Sequence, residues 1–160
     1  AAATLAERLT VSILVAMSAD HTNHPVVNAV LTQKFHFARE QGTSMIFKVG
    51  DMSGMRLNEE ETVILLSNLL DNAIHECLKV VKAGRKAVIH IKLVQEGGKI
   101  IFSVKNPVLE KVQITDGIVL DSNGGMHGIG LSNVKAVVDK YGGDFVISCD
   151  SEKFQAVVML

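Results

Sequence analysis

Two short runs in this chain carry residue types and spacings suited to work on a phosphate-bearing ligand. Ser67-Asn68-Leu69-Leu70-Asp71-Asn72 sets two asparagines four residues apart, and His75 and Lys79 continue the spacing. On an α-helix those positions share one face, a turn apart. Asparagine is a poor residue inside a helix, because its side chain competes for backbone hydrogen bonds. Its carbonyl oxygen is a fair ligand for Mg²⁺, an ion that keeps several waters and takes oxygens from bound phosphates. A histidine or lysine one turn further on is placed to meet the phosphates. The polar stripe is narrow, flanked by Leu65, Leu69, Ile74 and Leu78. A bland solvent face would carry Glu and Lys instead. The helix by itself still leaves an ordinary wetted stripe open.

The second run is Gly124-Gly125-Met126-His127-Gly128-Ile129-Gly130-Leu131, which leads straight into the helical pattern of Val134, Ala136, Val137 and Val138. Glycines let a backbone approach a phosphate closely, and a helix N-terminus offers free N–H groups. Taken alone, the run is equally a glycine-rich turn. It lacks the G-K-[ST] ending of a P-loop, and no strand leads into it as a dinucleotide-binding fingerprint requires.

These residues need elements to hold them. Pro25 suits the first turn of a helix, and Val26, Val27, Val30, Leu31, Phe35 and Ala38 carry its apolar stripe to about Gln41, with Gly42 as the stop. Ser44 to Val49 alternates as a strand, and Gly50 to Leu57 is a loop. Asn58, with Glu61 three residues on, is a capping-box start for the asparagine helix. That helix is predicted to end near Lys82, before Gly84. Its core stripe is read as Val63, Leu66, Leu70, Ala73 and Cys77. Lys86 to Val94 and Lys99 to Val104 read as strands around a Gly97-Gly98 turn, with Pro107 as the end. No periodic element is found from Asn106 to His127, and so long a loop is usually functional. A helix over Ile129 to Tyr141 and a closing hairpin, Asp144 to Cys149 with Phe154 to Leu160, complete the chain. The order of elements predicts an α+β fold with helices on one face of a mixed sheet.

The 160 residues suffice for one domain with its own core, and 48% of them are hydrophobic, which excludes a disordered chain. Lys+Arg 16 against Asp+Glu 17 leaves no electrostatic footprint for nucleic acid. Cys77 and Cys149 form no C-x-x-C pair and are read as reduced thiols. The apolar run from Leu9 to Ala19 is too short to span a bilayer as a helix and reads as the end of a packing helix.

Taken together, the two runs resemble the GHKL superfamily of gyrases, chaperone ATPases, histidine kinases and mismatch-repair ATPases. Asn68 to Ala73 is similar to the N box of histidine kinases, and Gly128-Ile129-Gly130-Leu131 to their second glycine box. The likeness covers about Pro25 to Leu160. Asp71 to Ile74 and His127 to Val134 most resemble the AgrC-like kinases that sense peptide pheromones. The resemblance implies a Bergerat fold, a two-layer α/β sandwich holding ATP under a lid. It implies that Asn72 binds Mg²⁺ bridging the phosphates. Asn68 falls where gyrase-like members carry a water-activating glutamate; an amide cannot act as that base, which suits a kinase. His75 matches a phosphate contact, so Asn68 and His75 are the implied catalytic pair. His127, Gly128, Ile129, Gly130 and Leu131 would cradle the phosphate tail. Asn106 matches the adenine-reading aspartate of the first glycine box, although Lys105-Asn106-Pro107-Val108 departs from the expected Asp-x-Gly-x-Gly. The lid would run from Pro107 to His127, unanchored without nucleotide.

The resemblance therefore implies a catalytic domain over residues 23–160, after a remnant of a dimerisation helix and linker over residues 1–22. Its ligands would be ATP and Mg²⁺. Its partners would be a response regulator and the dimerisation and phosphoacceptor domain of a homodimeric, membrane-bound parent, with this domain in the cytoplasm. His21 and His24 match no phosphoacceptor arrangement, so the accepting histidine is expected upstream of Ala1. Three alternatives differ in class. A binding module without turnover fits the altered first glycine box. An anti-sigma type serine kinase would keep that box intact. A gyrase-like ATPase would carry glutamate at Asn68.

Overall fold

Helix α1 (Pro25–Glu40) opens on Pro25, whose missing N–H costs nothing at a helix start. His24 is its N-cap: the Nδ1 atom accepts the Val27 N–H at 3.3 Å. The computed structural model describes residues 24–115, 118–120 and 129–160. The apolar N-terminal run, His21, and most of the second half of the expected lid lie outside the described residues.

Strand β1 (Thr43–Val49) follows, then α2 (Glu59–Lys82), β2 (Ala87–Glu96), β3 (Lys99–Pro107), the short β4 (Gln113–Thr115) and β5 (Ile118–Leu120), α3 (Ile129–Lys140), β6 (Asp144–Cys149) and β7 (Lys153–Met159). Five strands form one sheet in the order β1-β2-β3-β7-β6, with β1 parallel to β2 and every other pair antiparallel. The β2–β3 turn needs two residues at positive φ, and Gly97 (59°) and Gly98 (78°) supply them.

Along β2, Ala87, Ile89, Ile91 and Leu93 are buried, and along β3, Ile100, Phe102, Val104 and Asn106. This period of two puts one face of the sheet against the helices. Helix α2 lies centrally, packed on β1, β2 and β3 and flanked by α1 and α3. The mixed sheet with its helices is the α+β two-layer arrangement predicted from the sequence.

Two readings need correction. Val63 is exposed rather than core-facing, while Leu65, Leu69 and Ile74 are buried beside Leu66, Leu70, Ala73 and Cys77. A helix with neighbours on both flanks and a sheet below must bury a wider face than one narrow stripe. The stretch after Asn106 also holds structure: β3 continues to Pro107, and β4 and β5 form a small two-stranded sheet.

The first turn of α2 is tied both to its own cap and to the end of α3. The Asn58 side chain accepts the Glu61 N–H at 2.8 Å and Glu61 accepts the Asn58 N–H at 3.1 Å, closing the capping box. The same Glu61 carboxylate accepts hydrogen bonds from the Lys140 ammonium and the Tyr141 hydroxyl. Those donors, Lys140 first, hold the Glu61 carboxyl below the usual glutamate range. The C-terminal end of α3 is thereby pinned to the first turn of α2. Both cysteines are free: Cys77 is buried, and Cys149 partly so.

Candidate nucleotide site

The polar face of α2 opens toward the start of α3. Asn68 and Asn72 are half-buried there, and Asp71 and His75 are exposed. With Gly130 and Leu131 of α3, these four residues line one cavity of about 260 Å³. The structure thus brings together Asn68, Asn72 and His75 from one predicted motif and Gly130 and Leu131 from the other. Leu131 is itself buried and anchors this end of α3 in the core.

Asn68 is fixed rather than free. Its Nδ2 donates to the Ile64 carbonyl at 2.7 Å, one turn back along α2. Its Oδ1 faces the start of α3, where a β-carbon built on Gly130 would lie 3.0 Å away. Only a residue without a side chain leaves the amide and the helix start this close. The fold therefore brings both motifs into one contact.

Asn106 sits elsewhere. It lies near the end of β3, opposite Phe154 of β7, and is 2% exposed. Its Nδ2 donates to the Pro107 carbonyl at 2.9 Å. Its Oδ1 is buried with no partner, an uncommon state for a polar atom. Asn106 does not line the cavity. Lys79, expected on the same helix face, is paired with Glu76 at 2.9 Å and does not line it either. His127 and Gly128 lie outside the described residues, and Ile129 begins α3.

Sequence reasoning quoted Asp71 only as part of its motif and gave Lys34 no role. Asp71 lines the cavity, and its Oδ1 is 2.6 Å from the Lys34 ammonium of α1. The signal for Asp71 was its place three residues after Asn68 on the same helix. Nothing local pointed to Lys34, which only the packing of α1 on α2 brings near.

Among the described residues no group of three or more His, Cys, Asp or Glu could hold a metal ion. One half-buried amide oxygen at Asn72, beside open volume, fits an ion that draws its remaining ligands from phosphates and water. Among the described residues no helix is long and apolar enough to cross a membrane.

The family described as HATPase_c_5, a GHKL domain, matches residues 57–160, and no curated protein matches the chain. Solved structures share the fold at low identity. The nucleotide-free catalytic domain of the histidine kinase ThkA is 17% identical, with a TM-score of 0.64 over 84% of this chain and 90% of that one. The histidine kinase AdeS of Acinetobacter baumannii is 16% identical, with a TM-score of 0.59 over 96% of this chain and 74% of that one. The histidine kinase domain of a blue-light-activated kinase from Erythrobacter litoralis is 15% identical, with a TM-score of 0.59 over 91% of this chain and 70% of that one. By the match over residues 57–160, which takes in both motifs and the helix contact between them, the chain belongs to the GHKL domain family.

Proposed function

We propose that this domain is the ATP-binding catalytic domain of a two-component sensor histidine kinase of the AgrC-like kind. It passes the γ-phosphoryl of ATP to a histidine outside this stretch. The observation that carries the reading is the single cavity joining Asn68, Asn72 and His75 of α2 to Gly130 and Leu131 of α3.

Phosphoryl transfer asks the protein mainly for positioning and charge neutralisation. Asn72 would hold the metal through its side-chain carbonyl oxygen, and His75, a turn further, would meet the phosphates. Gly130 and Leu131 would bring backbone N–H groups to the phosphate tail, a role that the resemblance also assigns to His127, Gly128 and Ile129. Bound Mg²⁺ would supply charge on the phosphate oxygens that the lining itself lacks. Asn68, held by the Ile64 carbonyl, offers an amide where hydrolytic relatives need a base, so attack by water is not assisted. By the resemblance, Asn106 is the acceptor for the adenine amino group, although its buried, unpartnered Oδ1 lies off the wall of this cavity.

The catalytic domain is assigned to residues 23–160, and residues 1–22 to a remnant of the dimerisation segment and linker, an assignment that rests on the resemblance alone. The partners are the phosphoacceptor domain of a homodimeric, membrane-bound parent and a response regulator, and this domain lies on the cytoplasmic side.

One observation favours a second reading, a nucleotide-binding module without turnover: Asn106 lies off the cavity wall and is followed by proline. Transfer from γ-labelled ATP to a histidine-bearing phosphoacceptor domain supplied in trans separates the two. Acid-labile label on histidine, lost in Asn72→Ala, supports the kinase. Nucleotide binding without any label supports the module.

A further inference from the structure

A cavity meant for a triphosphate should not present bare negative charge, yet this one has a carboxylate in its wall. Among the described residues its lining holds one carboxylate, Asp71, and no lysine or arginine. Lys34 of α1 reaches that carboxylate, with Nζ 2.6 Å from Oδ1. The two side chains differ in setting: Asp71 is 53% exposed and Lys34 only 16%. A lysine stem so far out of water is held by packing, and its ammonium is delivered to one place. The place is a junction. A second, larger groove of about 530 Å³ between α1 and α2 is lined by Lys34 and shares Asp71 and His75 with the nucleotide cavity.

We infer that Lys34 is a positioning residue for the phosphates: it cancels the Asp71 charge at the cavity wall and so lets a polyanion settle there. The inference rests on the nucleotide reading above. A partly exposed ion pair adds little to fold stability. A charge on the wall of a cavity that takes up a polyanion counts for more, because it adds to the potential the ligand meets. The consequence of Lys34 therefore falls on ligand affinity.

The test is titration of Mg-ATP into wild type, Lys34→Met, Asp71→Asn and the double variant, at low and at high salt, with melting temperatures recorded. Methionine keeps an unbranched stem in the packed groove. Lys34→Met is expected to weaken ATP binding about fivefold at low salt, and the loss should shrink at high salt. Asp71→Asn should bind at least as tightly as wild type, and the double variant should return to within about twofold of it, because the uncompensated charge is gone. A loss that persists in high salt and that Asp71→Asn does not relieve would mean a packing role and overturn the inference. So would ATP binding in Lys34→Met equal to wild type. If Lys34→Met does not fold, Lys34→Gln and the Asp71→Asn arm carry the same expectations. Failure of wild type to bind ATP at all would remove both the nucleotide reading and this one. Normal wild-type binding with an unaffected Lys34→Met removes only this one.

Discussion

A β-carbon at Gly130 would stand 3.0 Å from Oδ1 of Asn68, so the middle of α2 and the start of α3 meet through an amide and a glycine. The contact joins the two sequence motifs that lie farthest apart in the chain among those of the site. Gly130→Ala makes it tight, and Asn68, whose Nδ2 is held by the Ile64 carbonyl, must shift by a few tenths of an ångström to admit the methyl. Alanine is the better helix former by about 1 kcal/mol, which offsets the crowding in stability. The expected outcome is a melting temperature near wild type with weakened ATP binding. Calorimetry and a thermal scan on the same sample check it.

Glu61 makes fold stability sensitive to acid. Its carboxyl is held below the usual range by the hydrogen bonds of Lys140 and then Tyr141. A group whose folded pKa is depressed contributes stability above its unfolded pKa and loses it as pH falls through the folded one. Urea midpoints from about pH 7 to about pH 3 should decline for wild type, and less steeply for Glu61→Gln. The same contact acts in the opposite sense in base. The Lys140 ammonium, raised mainly by Glu61, contributes stability that is lost as pH climbs through its folded pKa. Parallel acid curves for wild type and Glu61→Gln would contradict the assignment.

Asn106 separates stability from function. Its unpartnered Oδ1 costs about 1–3 kcal/mol of desolvation, while its bond to the Pro107 carbonyl returns about 1 kcal/mol. Asn106→Ala is therefore expected to leave the unliganded protein about as stable as wild type. On the role proposed for Asn106, ATP affinity should fall, because the proposed acceptor for the base amino group is lost. Differential scanning calorimetry with and without ATP reads both effects.

Burial pushes the Cys77 thiol up to about 12, with the nearby Glu76 charge adding to it. A thiol so rarely ionised should resist alkylation in the native protein near neutral pH. Cys149 is less buried, though burial raises its thiol too. Mass spectrometry after mild iodoacetamide treatment should find label on Cys149 before Cys77.

Much of this was legible from local pattern. Asn58 and Glu61 announce a capping box three residues apart, and the structure forms it. Gly97-Gly98 announces a tight hairpin, and both residues take positive φ. What local pattern missed depends on neighbours distant in sequence. Val63 lies outside the buried face because α1 and α3 both flank α2 and widen the face that needs apolar residues. Strands β4 and β5 are three residues each, too short for a period of two to register. His24, one of two histidines before a helix, is the N-cap of α1, which its place before Pro25 allowed. The pairing of Lys34 with Asp71 crosses between helices and left no trace in either segment.

The central claim is that the cavity between α2 and α3 holds Mg-ATP through Asn72. Calorimetric titration of ATP and ADP, with and without Mg²⁺, into wild type and Asn72→Ala tests it most directly. The account predicts Mg-dependent binding in wild type and its loss in Asn72→Ala, with the melting temperature of the variant unchanged. Absence of binding in wild type, or Mg-dependent binding that survives Asn72→Ala, would contradict it.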